Sequence, residues 1–126
     1  MRETEKEQLT IQIMDNKKLA LLELIKTKIN SFVKWDLVKF FYQNAATVDT
    51  LENIARYMGR KTEVLQPELE DLVDNGILEK KVGADRPVYG LATDETARTL
   101  VDQFIWANED RFFRIKAVEQ IVRGVR

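Results

Sequence analysis

Apolar residues recur every three or four positions along most of the chain, which is the spacing of one face of an α-helix. Ser31, Gly59 and Gly76 lie where a helix would begin or end, because serine caps N-termini and glycine stops C-termini. The polar residues 108–110 are expected to bend or divide the last helical region. The pattern predicts five helical segments, over residues 16–29, 32–44, 50–58, 62–75 and from 94 onward.

Capping residues predict the starts of two of these segments. Asp49, with Glu52 three positions later, is similar to a capping box for the third segment. Thr93 is the predicted cap of the last segment. Asp94 and Glu95 then fall in its first turn, where carboxylates favour the positive end of the helix dipole.

Two shorter apolar runs, residues 77–82 and 88–92, predict the strands of a hairpin with its tip at 83–87. The first fourteen residues are ambiguous, because their apolar positions alternate with polar ones as in a strand, yet two of them are four apart as in a helix. We favour a helix or a frayed arm, since no partner strand lies nearby in the sequence. The apolar residues that give both patterns are Leu9, Ile11 and Ile13.

The length of 126 residues predicts one domain, and a hydrophobic content of 44% is enough to bury a core. The net charge of −1 argues against a generic nucleic-acid coat but leaves room for a local basic patch. No apolar run approaches the roughly 20 residues of a membrane span, and the charged N-terminus is unlike a secretory signal. We therefore expect a cytoplasmic protein with no membrane partner.

The chain has no cysteine and no histidine, which excludes disulfides, thiolate zinc sites, cysteine nucleophiles and histidine-dependent triads. Carboxylate pairs such as Glu68 and Asp71 are the remaining candidates for metal binding or acid–base chemistry. They come without a Gly-rich phosphate loop or a nucleophile motif. We therefore expect no enzyme activity, no cofactor and no metal site.

Residues 51–81, LENIARYMGRKTEVLQPELEDLVDNGILEKK, carry the most specific spacing in the chain. Leu51, Ile54 and Ala55 precede a glycine, then leucines three and four apart, then Gly-Ile-Leu. This order resembles the helix-turn-helix and first wing strand of bacterial MarR-like and ArsR-like transcriptional regulators. Residues 88–97, VYGLATDETA, resemble their second wing strand and the start of the next helix. The other matching positions are Gly59, Leu65, Leu69, Leu72, Gly76, Ile77 and Leu78.

The resemblance covers about residues 32–100 and implies a mainly α fold of the α+β class, a winged helix-turn-helix with a two-stranded wing. It places the winged-helix domain at 32–100. A helical N-terminal extension then occupies 1–31, and a helical C-terminal extension, which is the expected interface, occupies 101–126.

Pro67 leaves the start of the fourth helical segment open. If Thr62 is the N-cap, Pro67 falls in the second turn and removes one hydrogen bond. If Gln66 is the N-cap, Pro67 takes the favoured first position of a shorter helix. The interval between Gly59 and Gly76 is usual for the families that the segment resembles, and it favours the longer helix with a mild distortion.

Domains of this kind place the third helix in the major groove of DNA, while basic residues around it and on the wing contact phosphates. The resemblance therefore implies a DNA-binding transcriptional regulator that acts as a homodimer on two half-sites of double-stranded DNA. Ordinary solvated charge is the alternative interpretation of the basic residues. The candidate DNA-contact residues are Arg56, Arg60, Lys61, Thr62, Gln66, Lys80, Lys81 and Arg86.

The helix predicted over 62–75 departs from the DNA-binding pattern. No basic residue lies between Thr62 and Glu79, and each carboxylate held against phosphates costs about 1 kcal/mol at low salt. This favours a second hypothesis, a winged-helix module that binds a protein partner and not DNA. The alternative interpretation is that these acids form a solvated helix face on a regulator that docks on DNA in a different way. The polar side chains on this helix are Glu63, Gln66, Glu68, Glu70, Asp71 and Asp74.

The terminal helices supply the predicted dimer interface. Apolar stripes follow residues 16–29 and 104–125, and the pair Phe112 and Phe113 could anchor an interface or pack against the chain's own first helix. The candidate interface residues are Leu22, Ile25, Ile29, Phe104, Phe112, Phe113, Val118, Ile121 and Val122.

The C-terminal stretch is basic, and Glu119 is its one acid after Asp110. This charge could face an acidic partner or DNA, and the wet side of an amphipathic helix is the alternative interpretation. Its basic residues are Arg111, Arg114, Lys116, Arg123 and Arg126.

Overall fold

The computed structural model describes residues 16–82 and 85–124. The predicted arm at 1–14 and two positions of the predicted hairpin tip lie outside the described residues. The described part is mainly helical and carries a small antiparallel sheet, which confirms the mainly α, α+β class. Its elements are α1 Asn16–Thr27, α2 Phe32–Gln43, β1 Val48–Thr50, α3 Leu51–Met58, α4 Thr62–Asp74, β2 Leu78–Val82, β3 Pro87–Leu91, α5 Glu95–Ala107 and α6 Arg111–Gly124.

The predicted division of the last helical region is confirmed. The helix α5 ends at Ala107, and α6 begins at Arg111. The carboxylate of Asp110 accepts hydrogen bonds from the backbone amides of Phe112 at 2.9 Å and Phe113 at 3.3 Å. These bonds satisfy donors that the first turn of a helix leaves unpaired, so the polar linker itself starts α6.

The predicted cap at Ser31 is confirmed, because its hydroxyl accepts the backbone amide of Lys34 at 3.0 Å. The other two predicted caps were each wrong by one residue. Thr50 caps α3, while the neighbouring Asp49 accepts from the Thr50 amide. Asp94, and not Thr93, caps α5. In both places the residue directly before the first helical residue takes the bond.

The longer form of the fourth helix is confirmed, since α4 starts at Thr62 and contains Pro67. Lys61 occupies the N-cap position and makes no side-chain cap bond, so Thr62 is the first helical residue and not the cap. Gly59 and Gly76 follow α3 and α4 with φ of 66° and 80°. Residues with a side chain rarely adopt this left-handed backbone conformation, which is why glycine ends both helices.

The sheet has three antiparallel strands in the order β1-β3-β2. Both hairpin strands were predicted, whereas β1 was not. Val48 in β1 stands opposite Gly90 in β3, and a Cβ at Gly90 would lie 3.0 Å from the Val48 side chain. Glycine at this position therefore allows β1 to approach the hairpin closely.

The core is continuous through all six described helices. The helix α2 lies at its centre: Leu37, Val38 and Phe41 are buried, and Trp35 packs edge-on against Phe104 of α5. Buried side chains of α1 and α6 belong to the same cluster. The terminal helices are therefore packed onto the body of the fold.

The helices α1 and α6 lie side by side and run in the same direction. Lys18 at the start of α1 contacts Asp110, just before α6, at 2.6 Å. At the other end, Lys26 of α1 lines a cleft together with Arg123 of α6. This pairing covers apolar residues that the sequence assigned to a dimer interface.

Five of the nine predicted interface residues lie in the core of a single chain, which corrects their assignment. Each is fully buried by its own chain, so none of them is available to a second folded copy. Leu22 and Phe112 are half-buried against the core, and Val118 and Val122 are exposed. The five buried residues are Ile25, Ile29, Phe104, Phe113 and Ile121.

Candidate interaction surfaces

The predicted DNA-contact residues lie at the end of α3, at the start of α4 and on the hairpin. All eight are exposed or half-exposed, so each could reach a ligand. The structure places them on neighbouring elements, because α4 packs against both α3 and β2. Six of the eight are basic, and their ionic partners decide how much positive charge this surface offers.

Three of those six cations are paired with carboxylates of the chain. Arg60 pairs with Asp36 of α2, Lys80 lies 2.8 Å from Glu70 of α4, and Arg86 lies 3.7 Å from Glu52 of α3. A phosphate would have to compete with the carboxylate already beside each of these groups. The remaining three cations have no carboxylate within ion-pair distance in the described part of the chain, although Arg56 and Lys81 act at longer range on Asp49 and Glu79. These three cations are Arg56, Lys61 and Lys81.

The acidic residues of α4 have two structural roles that the sequence did not reveal. On the side towards α2, Glu68 accepts from the Ser31 hydroxyl at 3.1 Å and lies 3.0 Å from Lys34. Asp71 lies 3.1 Å from the same lysine. On the side towards the hairpin, Glu70 accepts from the Tyr89 hydroxyl at 2.6 Å as well as from Lys80.

Lys34 is the residue that the sequence interpretation missed. Its side chain is only 8% exposed, and its ammonium group also donates to Asn30. The sequence did contain a signal: Lys34 falls on the same helical face as Leu37, Val38 and Phe41. A lysine on an apolar face must find carboxylates on a neighbouring element, because an unpaired buried charge is costly.

The pKa values of these groups follow from the same contacts. Burial lowers the pKa of Lys34, but its bonds and proximity to Glu68 and Asp71 outweigh burial and raise it above 10.5. The bonds from Lys80 and Tyr89 lower the pKa of Glu70. Burial, together with the bond to Glu70, raises the pKa of Tyr89. At neutral pH the shifted pKa values keep Lys34 and Glu70 charged and Tyr89 neutral, so these contacts stabilise the fold.

The remaining acids on α4 stay at the surface. Glu63 accepts from the Thr62 hydroxyl at 3.1 Å, and Asp74 is exposed at the other end of the helix. With Gln66 between them, they give the outer side of α4 a negative charge. In a DNA complex of the expected kind, this side would face phosphates and base edges.

The outer face of α6 is a different kind of surface. Ile115, Val118 and Val122 are 49%, 39% and 57% exposed. They form one stripe on the side of α6 opposite its buried residues, because their spacing of three and four follows the helical repeat. Arg114 and Arg123 lie on either side of this stripe. We call these five residues, together with Arg111, the α6 outer face.

An open groove of about 530 Å³ lies where the end of α2, β1 and α3 meet. Phe40 and Tyr57 are stacked in it with ring centres 6.4 Å apart, and Val48 borders it. Tyr57 is largely exposed, so this groove is a second place where an apolar group could dock.

Two further features are absent from the described residues. No cluster of carboxylates there could hold a metal ion, and no helix there is long and apolar enough to cross a bilayer. No family model, no curated protein and no solved structure matches the chain. Conclusions about its function therefore depend on the chemistry of its own surfaces.

Proposed function

We propose that the chain is a winged-helix module that binds a protein partner and does not bind duplex DNA. The order of its elements supports the architecture. The helices α2, α3 and α4 are followed by the β2–β3 hairpin, and a three-residue turn at 59–61 separates α3 from α4. This is the arrangement expected from the resemblance of residues 51–81 to MarR-like and ArsR-like domains.

The charge of the expected DNA surface is the observation that carries the functional proposal. Half of its six cations are already paired with carboxylates of the chain, and the outer side of α4 is acidic. Affinity for DNA comes largely from cations that replace counterions on phosphates, so a surface with little net positive charge gains little from contact with a duplex. A protein partner does not impose this requirement.

Titration of the full chain with a random-sequence duplex tests the proposal. At about 50 mM salt, where the electrostatic contribution is large, we expect no saturable binding. The matched variants replace the three unpaired cations, Arg56, Lys61 and Lys81, with alanine, and the control replaces the exposed Lys39 of α2. Salt-dependent binding that the triple variant abolishes and the Lys39→Ala control retains would overturn the proposal.

The three unpaired cations also support a second candidate function, a cytoplasmic DNA-binding transcriptional regulator that acts as a homodimer. Lys61 precedes α4, Arg56 lies near the end of α3 and Lys81 lies on the hairpin, so they could contact phosphates around the start of α4. Sedimentation equilibrium tests the dimer. A single species of 14.7 kDa at about ten times the concentration used in the duplex titration would remove this candidate, because half-site recognition requires two copies.

A further inference from the structure

We propose that the α6 outer face binds an acidic amphipathic helix of a partner protein. This inference rests on the proposed protein-binding function and names its surface and the chemistry of its partner. The apolar stripe of Ile115, Val118 and Val122 follows two turns of α6, a length of about 10 Å. A partner helix with apolar residues at the same spacing can cover such a stripe.

The charges around the stripe specify the partner. The helix α6 carries four basic side chains and one acidic one, and that acid, Glu119, is paired with Lys116 at 3.4 Å. Arg111, Arg114 and Arg123 have no carboxylate within ion-pair distance anywhere in the described part of the chain. One N–H of Arg114 donates to the Asn108 carbonyl, and the residue is exposed.

This pattern differs from the one on the α4 side, where three of the six cations have a carboxylate partner. There, carboxylates of the chain accompany Arg60, Lys80 and Arg86. On α6, the guanidinium groups border an exposed apolar stripe and have no carboxylate within ion-pair distance among the described residues. Unpaired arginines beside apolar side chains suit a partner that supplies both carboxylates and apolar residues, because arginine forms paired hydrogen bonds with carboxylates.

A second copy of the chain fits this surface poorly. In a two-fold symmetric dimer, each face meets the same face of the other copy. The α6 outer faces would then bring the arginines of one copy, Arg111, Arg114 and Arg123, near those of the other, while Glu119 is already paired with Lys116. Like charges brought together in this way oppose association. An acidic helix, in contrast, is attracted electrostatically to the same three guanidinium groups.

The test uses the full chain and a labelled peptide of about 16 residues, with leucines three and four apart and glutamates on both flanks, followed by fluorescence anisotropy. Replacing Val118 and Val122 together with serine should weaken binding about tenfold, since it removes two of the three apolar side chains of the stripe. The control Val82→Ser alters an exposed valine of the hairpin and should change affinity less than about twofold.

The charge contribution has its own variants. Replacing Arg114 and Arg123 together with glutamine should weaken binding about fivefold at low salt and remove most of its salt dependence. Lys39→Gln is the matched control, because Lys39 is exposed on α2 and should leave affinity unchanged. Backbone amide NMR shifts on peptide addition should change along α6. Shifts confined to the groove around Phe40 and Tyr57 would overturn the inference.

The other possible occupants give distinct results. Equal binding of a scrambled peptide of the same composition, or failure of both peptides to bind, would overturn the inference. So would binding of anionic vesicles in place of the peptide, or a dimer that the Val118 and Val122 substitutions dissociate. The duplex titration separates this failure from failure of the proposed function. DNA binding lost on replacing Arg56, Lys61 and Lys81 overturns the proposed function, whereas absence of both DNA and peptide binding overturns the α6 inference alone.

Discussion

The ammonium group of Lys34 lies 3.0 Å from Oε2 of Glu68, and this contact joins the buried side of α2 to the acidic helix α4. Some carboxylates of α4 therefore pair with cations of the same chain. The number of acidic residues in the sequence of α4 overstates the negative charge that the helix offers to a ligand. Asp71, which is more exposed than Glu68, is the second carboxylate that contacts Lys34.

Removing the carboxylates should destabilise the fold more than removing the lysine. Glu68→Gln with Asp71→Asn leaves a buried cation without a counterion and should lower the free energy of unfolding by about 2 kcal/mol. Lys34→Met removes the charge that needs pairing, and it should change stability by less than about 1 kcal/mol. Urea denaturation at neutral pH measures both.

The matched control for this comparison lies on the same helix. Glu63→Gln with Asp74→Asn makes the same chemical changes at exposed positions and should stay within about 0.5 kcal/mol of the parent chain. A greater loss from Lys34→Met than from the Glu68 and Asp71 double variant would contradict the assignment of Lys34 as a buried cation that depends on its partners.

Glu70 predicts how stability falls in acid. Its folded-state pKa is lowered from 4.5 by Lys80 and then Tyr89, so the fold favours the ionised carboxylate. The stability that this group contributes is present above pH 4.5 and is lost as the pH falls through the lower folded value. Glu70→Gln should therefore flatten the dependence of the unfolding free energy on pH below 4.5. Tyr89→Phe should flatten it less, because Lys80 remains in place; an equal effect would contradict this order of contributions.

Tyr89 predicts the behaviour in alkali. Its pKa in the folded chain is raised above 10.0 by burial and then by Glu70, so the folded state holds the phenol proton more tightly than the unfolded state does. The corresponding stability is complete below pH 10.0 and declines as the pH rises beyond it. Ultraviolet absorbance should show that one of the three tyrosines ionises late, and that this late titration is missing in Tyr89→Phe. Its persistence in that variant would assign it elsewhere.

Helical periodicity was enough to predict the helices and their order, because each helix buries one face against a shared core. The positions of Gly59 and Gly76 were also predictable, since a left-handed residue after a helix strongly favours glycine. Periodicity does not reveal which other element packs on the apolar face of each helix. Ile25 and Ile121 were assigned to a dimer interface for this reason, whereas α1 and α6 bury them within one chain.

The surfaces were harder to predict than the fold, because ion pairs depend on distances between elements that are far apart in the sequence. Arg86 and Glu52 are separated by more than thirty positions, and nothing local to either predicts their contact. The strand β1 was missed for a related reason. Its three residues are too few to show an alternating pattern, and they become a strand by pairing with β3.

The contact between Gly90 and Val48 gives the sharpest test of this sheet. A Cβ at position 90 would lie 3.0 Å from Val48 Cγ2 and 3.1 Å from the Thr47 carbonyl oxygen. Gly90→Ala should therefore push β1 away from β3 and lower the free energy of unfolding by about 1–3 kcal/mol in urea denaturation. Adding Val48→Ala should recover only part of this loss, because the backbone oxygen of Thr47 still obstructs the methyl group. The control Gly124→Ala meets no atom within 4 Å, and a loss as large as that of Gly90→Ala would show that the close approach of the strands is not the cause.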